Sequence, residues 1–179
     1  MLLGEVSDDY AIFYLYSGDT SPVGMIYYDQ YGYPEYYWYE KNLQGDIVAI
    51  YDGNTYKVAQ YTYDAWGNAT VSGSTFDAIL RNPFRYRGYY YDSDLNLYYL
   101  NSRYYDMTTG RFINPDKFVS TGTGMLGYNM FSYCNNNPVM YVDPCGNCLH
   151  QWNFWDDCED CGGKTFVASP LFAEDQKAC

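Results

Sequence analysis

Cysteine is absent from this chain until Cys134, and His150 is its only histidine. A disulfide-built scaffold spreads its cysteines through the fold, so the long cysteine-free stretch must hold itself by packing and backbone hydrogen bonds. A single histidine, with no Ser, Cys or second His at a recognisable spacing, argues against a nuclease or acyl-transfer centre built on imidazole. Basic residues are scarce: 10 Lys and Arg stand against 22 Asp and Glu, a formal net charge of -12. That balance favours solubility and disfavours a nucleic-acid backbone or an anionic lipid as the main partner. No apolar run approaches the roughly 18 residues of a membrane span. The start, Met1-Leu2-Leu3-Gly4-Glu5, lacks the basic-then-apolar pattern of a signal peptide. Leu, Ile and Val are modest, and no long stretch has helical periodicity.

Tyrosine is abundant, at 25 residues. It recurs in a Tyr-x-Tyr cadence followed by an acidic residue that usually runs on to a Gly. The cadence reads Tyr37-Trp38-Tyr39-Glu40 to Gly45, then Tyr61-Thr62-Tyr63-Asp64 to Gly67, Tyr89-Tyr90-Tyr91-Asp92, and Tyr104-Tyr105-Asp106 to Gly110. A strand places residues i and i+2 on one face, so each Tyr-x-Tyr puts two rings on the same side of a sheet. The acidic residue and Gly then supply a turn. The spacing predicts strands over residues 10–16, 24–28, 35–40, 46–51, 56–64 and 69–72, joined as antiparallel hairpins. Short helical turns are expected near Phe76–Leu80 and around Met125–Tyr133. The fold class is all-β, and the uneven spacing of the repeats points to a loose spiral of hairpins rather than a strict solenoid. A repeat sheet has open edges, and the expectation is that further repeats precede these in a longer chain.

Residues 81–147 narrow the reading. They contain Asn82-Pro83-Phe84-Arg85-Tyr86-Arg87-Gly88-Tyr89-Tyr90-Tyr91-Asp92 and Leu97-Tyr98-Tyr99-Leu100-Asn101-Ser102-Arg103-Tyr104-Tyr105-Asp106. Thr109-Gly110-Arg111-Phe112-Ile113-Asn114-Pro115-Asp116 follows, and then Asn137-Pro138-Val139-Met140-Tyr141-Val142-Asp143-Pro144-Cys145-Gly146. This ordered string resembles the RHS repeat-associated core domain, which stands at the C-terminal end of RHS/YD-repeat proteins. The upstream cadence resembles the YD repeats themselves, so the likeness covers residues 10–147. The resemblance implies three parts: YD-type hairpins over 1–80, the core domain over 81–147, and a variable tail over 148–179. It implies a hollow β shell that spirals around a C-terminal polypeptide, closed at its end by the core domain. The final Asp143-Pro144-Cys145-Gly146 then marks the junction between shell and payload. Implied partners are upstream YD repeats of the same chain, the payload or tail, and an immunity protein. The implied location is secreted or at the cell surface.

The resemblance also implies an aspartic-type self-cleavage site, with its two aspartates matching Asp116 and Asp143. Two carboxylates brought close share a proton, so one can act as base and the other as acid. Arg111 is the candidate to position or polarise them. Two positions depart from the family pattern. Asp116-Lys117 stands where relatives often have Asp-Pro, and Asn147 where they often have Leu. Lys117 is placed to pair with Asp116 and hold it ionised. The bland reading, in which both aspartates are turn formers, stays open beside the catalytic one.

The tail offers a second constellation. Cys145-x-x-Cys148 and Cys158-x-x-Cys161 form paired knuckles, whose four thiolates suit tetrahedral structural zinc. Disulfides and reduced thiols remain alternatives, and Cys134 and Cys179 are left unassigned. His150 is a substitute ligand or has no special role. Trp152-Asn153-Phe154-Trp155 is expected to pack a small tail cluster, and the tail is too short for an independently folded toxin without staples. The leading function is a shell and junction module of an RHS-type polymorphic toxin or surface protein. The alternatives are an adhesive module binding carbohydrate or protein without catalysis, and a degraded gene fragment.

Overall fold

A computed structural model describes residues 2–18, 21–73, 77–116, 129–147 and 149–151. The chain divides into two compact units, Met1–Ser93 and Asp94–Cys179. Residues 81–93, which the resemblance assigns to the core domain, therefore sit with the first unit.

The first unit is built on a seven-stranded antiparallel sheet whose strands follow one another in chain order. They are β1 (Gly4–Val6), β2 (Ala11–Tyr16), β3 (Pro22–Tyr28), β4 (Pro34–Lys41), β5 (Ile47–Asp52), β6 (Lys57–Tyr63) and β7 (Ala69–Gly73). Six of these match the strands expected from the sequence. β1 was not expected, because three residues without an aromatic carry no period. A short strand β8 (Tyr90–Asp92) ends the unit, and a single helical turn, α1 (Asp77–Leu80), falls where one was expected.

Alternation decides which face packs. Ile12 and Tyr14 on β2, Met25 and Tyr27 on β3, Tyr37 on β4, Ile50 on β5 and Ala59 and Tyr61 on β6 join one buried cluster. Ala78, Ile79 and Phe84 close over it from the segment that follows the sheet. Phe84 meets Tyr14 edge-on at 4.8 Å, and Tyr61 and Tyr63 stack at 6.3 Å with rings 7° from parallel. The same-face placement expected for Tyr-x-Tyr is thus realised on β6.

A tyrosine core also has to satisfy its hydroxyls. Tyr14 donates to Glu5 at 2.7 Å, Tyr37 to Glu35 at 2.7 Å and Tyr63 to the Ile47 carbonyl at 2.7 Å. Tyr39 donates to the buried Asn82 side chain at 2.7 Å, and Asn82 in turn donates to the Phe84 carbonyl at 2.7 Å. Asn82 thereby ties the covering segment to the sheet. A buried ion pair does the same nearby: Arg87 Nε lies 3.6 Å from Asp46 Oδ1, and the Arg87 amide donates to that oxygen at 2.9 Å.

The turns between strands share one device. Asp29, Asp52 and Asp64 each accept two backbone amides on Oδ1, from the residues two and four positions on, at 2.8–2.9 Å. Asn42 does the same through its Oδ1, from Gln44 at 2.9 Å and Asp46 at 3.0 Å. Such side chains mimic a backbone turn and leave the amides satisfied. In the Tyr37–Gly45 repeat the turn former is therefore Asn42 and not the Glu40 of the cadence. Glu40 instead accepts from the Tyr51 hydroxyl at 2.8 Å.

Three positions after each turn former, the backbone is left-handed: Gly32 at φ 80°, Gly45 at 82°, Gly67 at 95° and Thr55 at 69°. Glycine suits that conformation, whereas a β-branched side chain is strained there. Thr55→Gly is therefore expected to raise the unfolding free energy by about 1 kcal/mol, since a left-handed L-residue costs roughly that much. Urea denaturation checks this; no gain would mean that Thr55 makes a compensating contact.

The second unit contains β9 (Leu97–Tyr99), β10 (Tyr104–Asp106) and β11 (Arg111–Phe112), paired antiparallel in that order, and a ribbon of β12 (Tyr141–Val142) with β13 (His150–Gln151). Its aromatic centre is Tyr98, Tyr105, Phe112 and Tyr133, all at most 2% exposed. Tyr105 lies 4.1 Å from Tyr133 and 5.9 Å from Phe112, ring centre to ring centre. Of the helical turn expected around Met125–Tyr133, residues 125–128 lie outside the described residues, and 129–133 form a turn and an isolated bridge from Ser132 to Arg111 instead of a helix. A tight turn follows it at Cys134–Asn136, with all three residues left-handed. Among the described residues, no helix is long and apolar enough to cross a membrane.

Candidate functional site: an arginine between two aspartates

Three loops of the second unit converge on one side chain. Arg103 stands immediately before β10, at the end of the loop from β9. Asp116 follows β11, and its amide donates to the Met130 carbonyl at 2.9 Å. Asp143 follows β12 directly. The guanidinium of Arg103 reaches both carboxylates: Nη2 is 3.0 Å from Asp116 Oδ2 and 3.4 Å from Asp143 Oδ2. Arg103 and Asp143 are each 5% exposed, and Asp116 is 18% exposed. The aspartates expected to act together are therefore brought to one cation.

Arg103 is also fixed along the rest of its length. Its Nη1 donates to the Met130 carbonyl at 3.1 Å, and its guanidinium lies over the Phe112 ring at 3.6 Å. Its Nε donates to the carbonyl of Gly146. A planar fork with several donors can serve two carboxylates and two carbonyls at once, which a lysine ammonium cannot. The Met130 carbonyl accepts from both Arg103 and Asp116, so it ties the two loops together.

The junction turn Asp143–Gly146 lies against the β9–β10 loop. Asn101 Nδ2 donates to the Pro144 carbonyl at 3.1 Å, and the Ser102 hydroxyl donates to the Cys145 carbonyl. Three consecutive side chains thus hold three consecutive carbonyls. Gly146 is left-handed at φ 77°, and a Cβ there would come within 2.7 Å of the Leu100 carbonyl oxygen and of Ser102 Oγ.

Of the other expected site residues, Arg111 is exposed on β11, in register with Asp106. Among the described residues no ion pair joins Arg111 to either aspartate, and the cation at the pair is Arg103. Lys117, expected beside Asp116, lies outside the described residues. So do Cys148, Cys158, Cys161 and Cys179, which leaves the zinc expectation with Cys145 alone. Cys145 Sγ lies 3.9 Å from Asp143 Oδ1, and Cys134 is buried. Among the described residues no group of three or more His, Cys, Asp or Glu is placed to hold a metal.

This architecture has known counterparts. The tRNA nuclease WapA of Bacillus subtilis (strain 168) is 45% identical over 111 residues, 62% of this chain and 5% of that protein. The double-stranded DNA deaminase toxin A of Burkholderia cenocepacia (strain H111) is 42% identical over 86 residues, 47% of this chain and 6% of that protein. These relatives share RHS repeat-associated cores. The chain carries an RHS repeat-associated core. No family model matches it. The crystal structure of TcdB2-TccC3-Cdc42 superposes with a TM-score of 0.66 at 22% identity, over 79% of this chain and 7% of that one. That likeness places the RHS chain in the same antiparallel β-shell fold. The chain spans only 5–6% of the curated relatives' length, so it corresponds to a small part of each.

Proposed function

We propose that the chain closes the end of an RHS-type toxin shell and cuts its own C-terminal segment free just beyond the Asp143–Gly146 turn. Upstream YD repeats of a longer, secreted or surface-displayed protein would supply the rest of the wall. The segment after the junction would be the payload, with an immunity protein guarding the producing cell. The observation that carries this reading is the convergence at Arg103. One guanidinium holds both aspartates and also donates to the Gly146 carbonyl at the junction.

In the proposed cleavage, water adds to a peptide carbonyl at the junction while one aspartate takes its proton. The other aspartate protonates the leaving nitrogen, so one peptide bond breaks and one water is consumed. Arg103 holds both carboxylates in one place and fixes the Gly146 carbonyl beside them. Because the substrate is tethered, effective concentration substitutes for binding, and a single turnover suffices.

Intact-mass measurement on the purified full chain tests this. The wild type is expected to yield two pieces, the second starting near Cys148, while Asp143→Asn stays whole. Identical intact masses for the two proteins would rule the cleavage out.

A further inference from the structure

We propose that Asn101 and Ser102 are positioning residues that form, with Arg103, a main-chain clamp selecting glycine at position 146. The role in cleavage rests on the self-cleavage reading above; the clamp itself does not. Its three bonds go to the carbonyls of Pro144, Cys145 and Gly146 in order, from Asn101, Ser102 and Arg103 in order. None of them touches a side chain of the held segment. The clamp therefore grips the main chain of the junction turn whatever residue stands at position 145. Its one steric demand falls at 146, where the Leu100 carbonyl, Ser102 Oγ and the Arg103 amide crowd the place of a Cβ.

The loop that carries the clamp is itself held rigid. The Leu100 amide donates to the Arg103 carbonyl at 2.9 Å, and the Ser102 amide to the Leu100 carbonyl at 2.8 Å. Asn101 is left-handed at φ 64°, which turns its side chain and that of Ser102 toward the same strand of the junction. β9 and β10 pair on either side of the loop, Tyr99 opposite Tyr104. A rigid loop gripping three carbonyls would hold a peptide bond still beside two carboxylates. Small displacements in such a geometry lower rates steeply.

Two readouts test the clamp in the full chain. The first is nicking by an added broad-specificity protease between residues 144 and 147, located by mass, in an Asp116→Asn background. Ser102→Ala and Asn101→Ala are each expected to raise that nicking rate about fivefold, the equilibrium value of one typical hydrogen bond. Ser102→Thr keeps the hydroxyl and is expected to match the parent. Gly146→Ala is expected to open the segment with the clamp side chains intact. Protection of β9 to β11 from the same protease shows that each variant is folded. The second readout is the rate of tail release without the background change, expected to fall at least fivefold in Ser102→Ala and to recover in Ser102→Thr. Parent-like nicking in the Asn101→Ala, Ser102→Ala double variant would overturn the clamp. If the wild type releases no tail, the positioning role is overturned along with the cleavage reading, and the nicking rates alone decide the clamp.

Discussion

Arg103→Met is expected to destabilise the second unit by about 3–5 kcal/mol, the usual cost of stripping one partner from a buried ion pair. Methionine keeps most of the aliphatic bulk, so the loss comes from charge and hydrogen bonding rather than from a cavity. Asp143, as buried as the arginine, would lose the Arg103 charge, the Gly146 carbonyl would lose its Nε donor, and the Met130 carbonyl would keep only the Asp116 amide. Arg103→Lys is expected to recover little, because a point charge cannot reach four acceptors in different directions. The diagnostic comparison is the triple variant Arg103→Met, Asp116→Asn, Asp143→Asn. If the penalty comes from uncompensated carboxylates, neutralising them should return a large share of it. Urea unfolding of the three proteins provides the measurement. Equal instability of the single and triple variants would show that Arg103 acts by packing on Phe112 and not as a shared counterion.

Alkaline pH is expected to unfold the first unit, and the sign follows from its tyrosines. Burial pushes the phenols of Tyr14, Tyr37, Tyr39 and Tyr61 upward. For Tyr14 and Tyr37 the carboxylates of Glu5 and Glu35 push further in the same direction. Burial raises Tyr16 and Tyr90 to about 12. In the unfolded chain a phenol loses its proton near the reference value of about 10. Above that value the unfolded state is favoured, because it releases protons that the native state retains. The stability these groups contribute is therefore whole below about pH 10 and falls as pH rises through the raised native values. Tyrosinate absorbance followed together with circular dichroism should show a late, cooperative step in which ionisation and loss of the sheet coincide. Smooth ionisation with the sheet intact would mean that these hydroxyls are not buried.

The wall of this protein was legible because its code is local. A Tyr-x-Tyr strand carries its own period, and β4 and β6 lie where that pattern puts them; the other expected strands of the first sheet were marked by the Asp, Asn and Gly turns between them. The failures of the cadence are physical as well. Glu40 is acidic, but it lies within β4, five residues before Gly45, and Asn42, three residues before that glycine, caps the turn instead. β1 has no aromatic residue to announce it. The site was only half legible. Asp116 and Asp143 were singled out through the family resemblance, but the cation was sought in Arg111, next to Gly110 in the same string. Arg103 sits 40 residues before Asp143, and nothing in local spacing reports a contact of that range. The signal available was a lone arginine at the head of a tyrosine strand, Arg103-Tyr104-Tyr105-Asp106, where a buried charge needs a partner. The same holds for Asn101 and Ser102, which read as ordinary loop residues until the junction is seen lying against them.

The most direct measurement is a cryo-EM map of the chain joined to the upstream YD repeats proposed above. The expected result is a hollow β shell, with β1 continued by a strand from a preceding repeat. The Arg103–Asp116–Asp143 cluster would lie at the closed end, and the chain beyond Asn147 inside the shell. A solid β domain with no enclosed volume, or a C-terminal segment leaving the cluster toward solvent, would contradict the account.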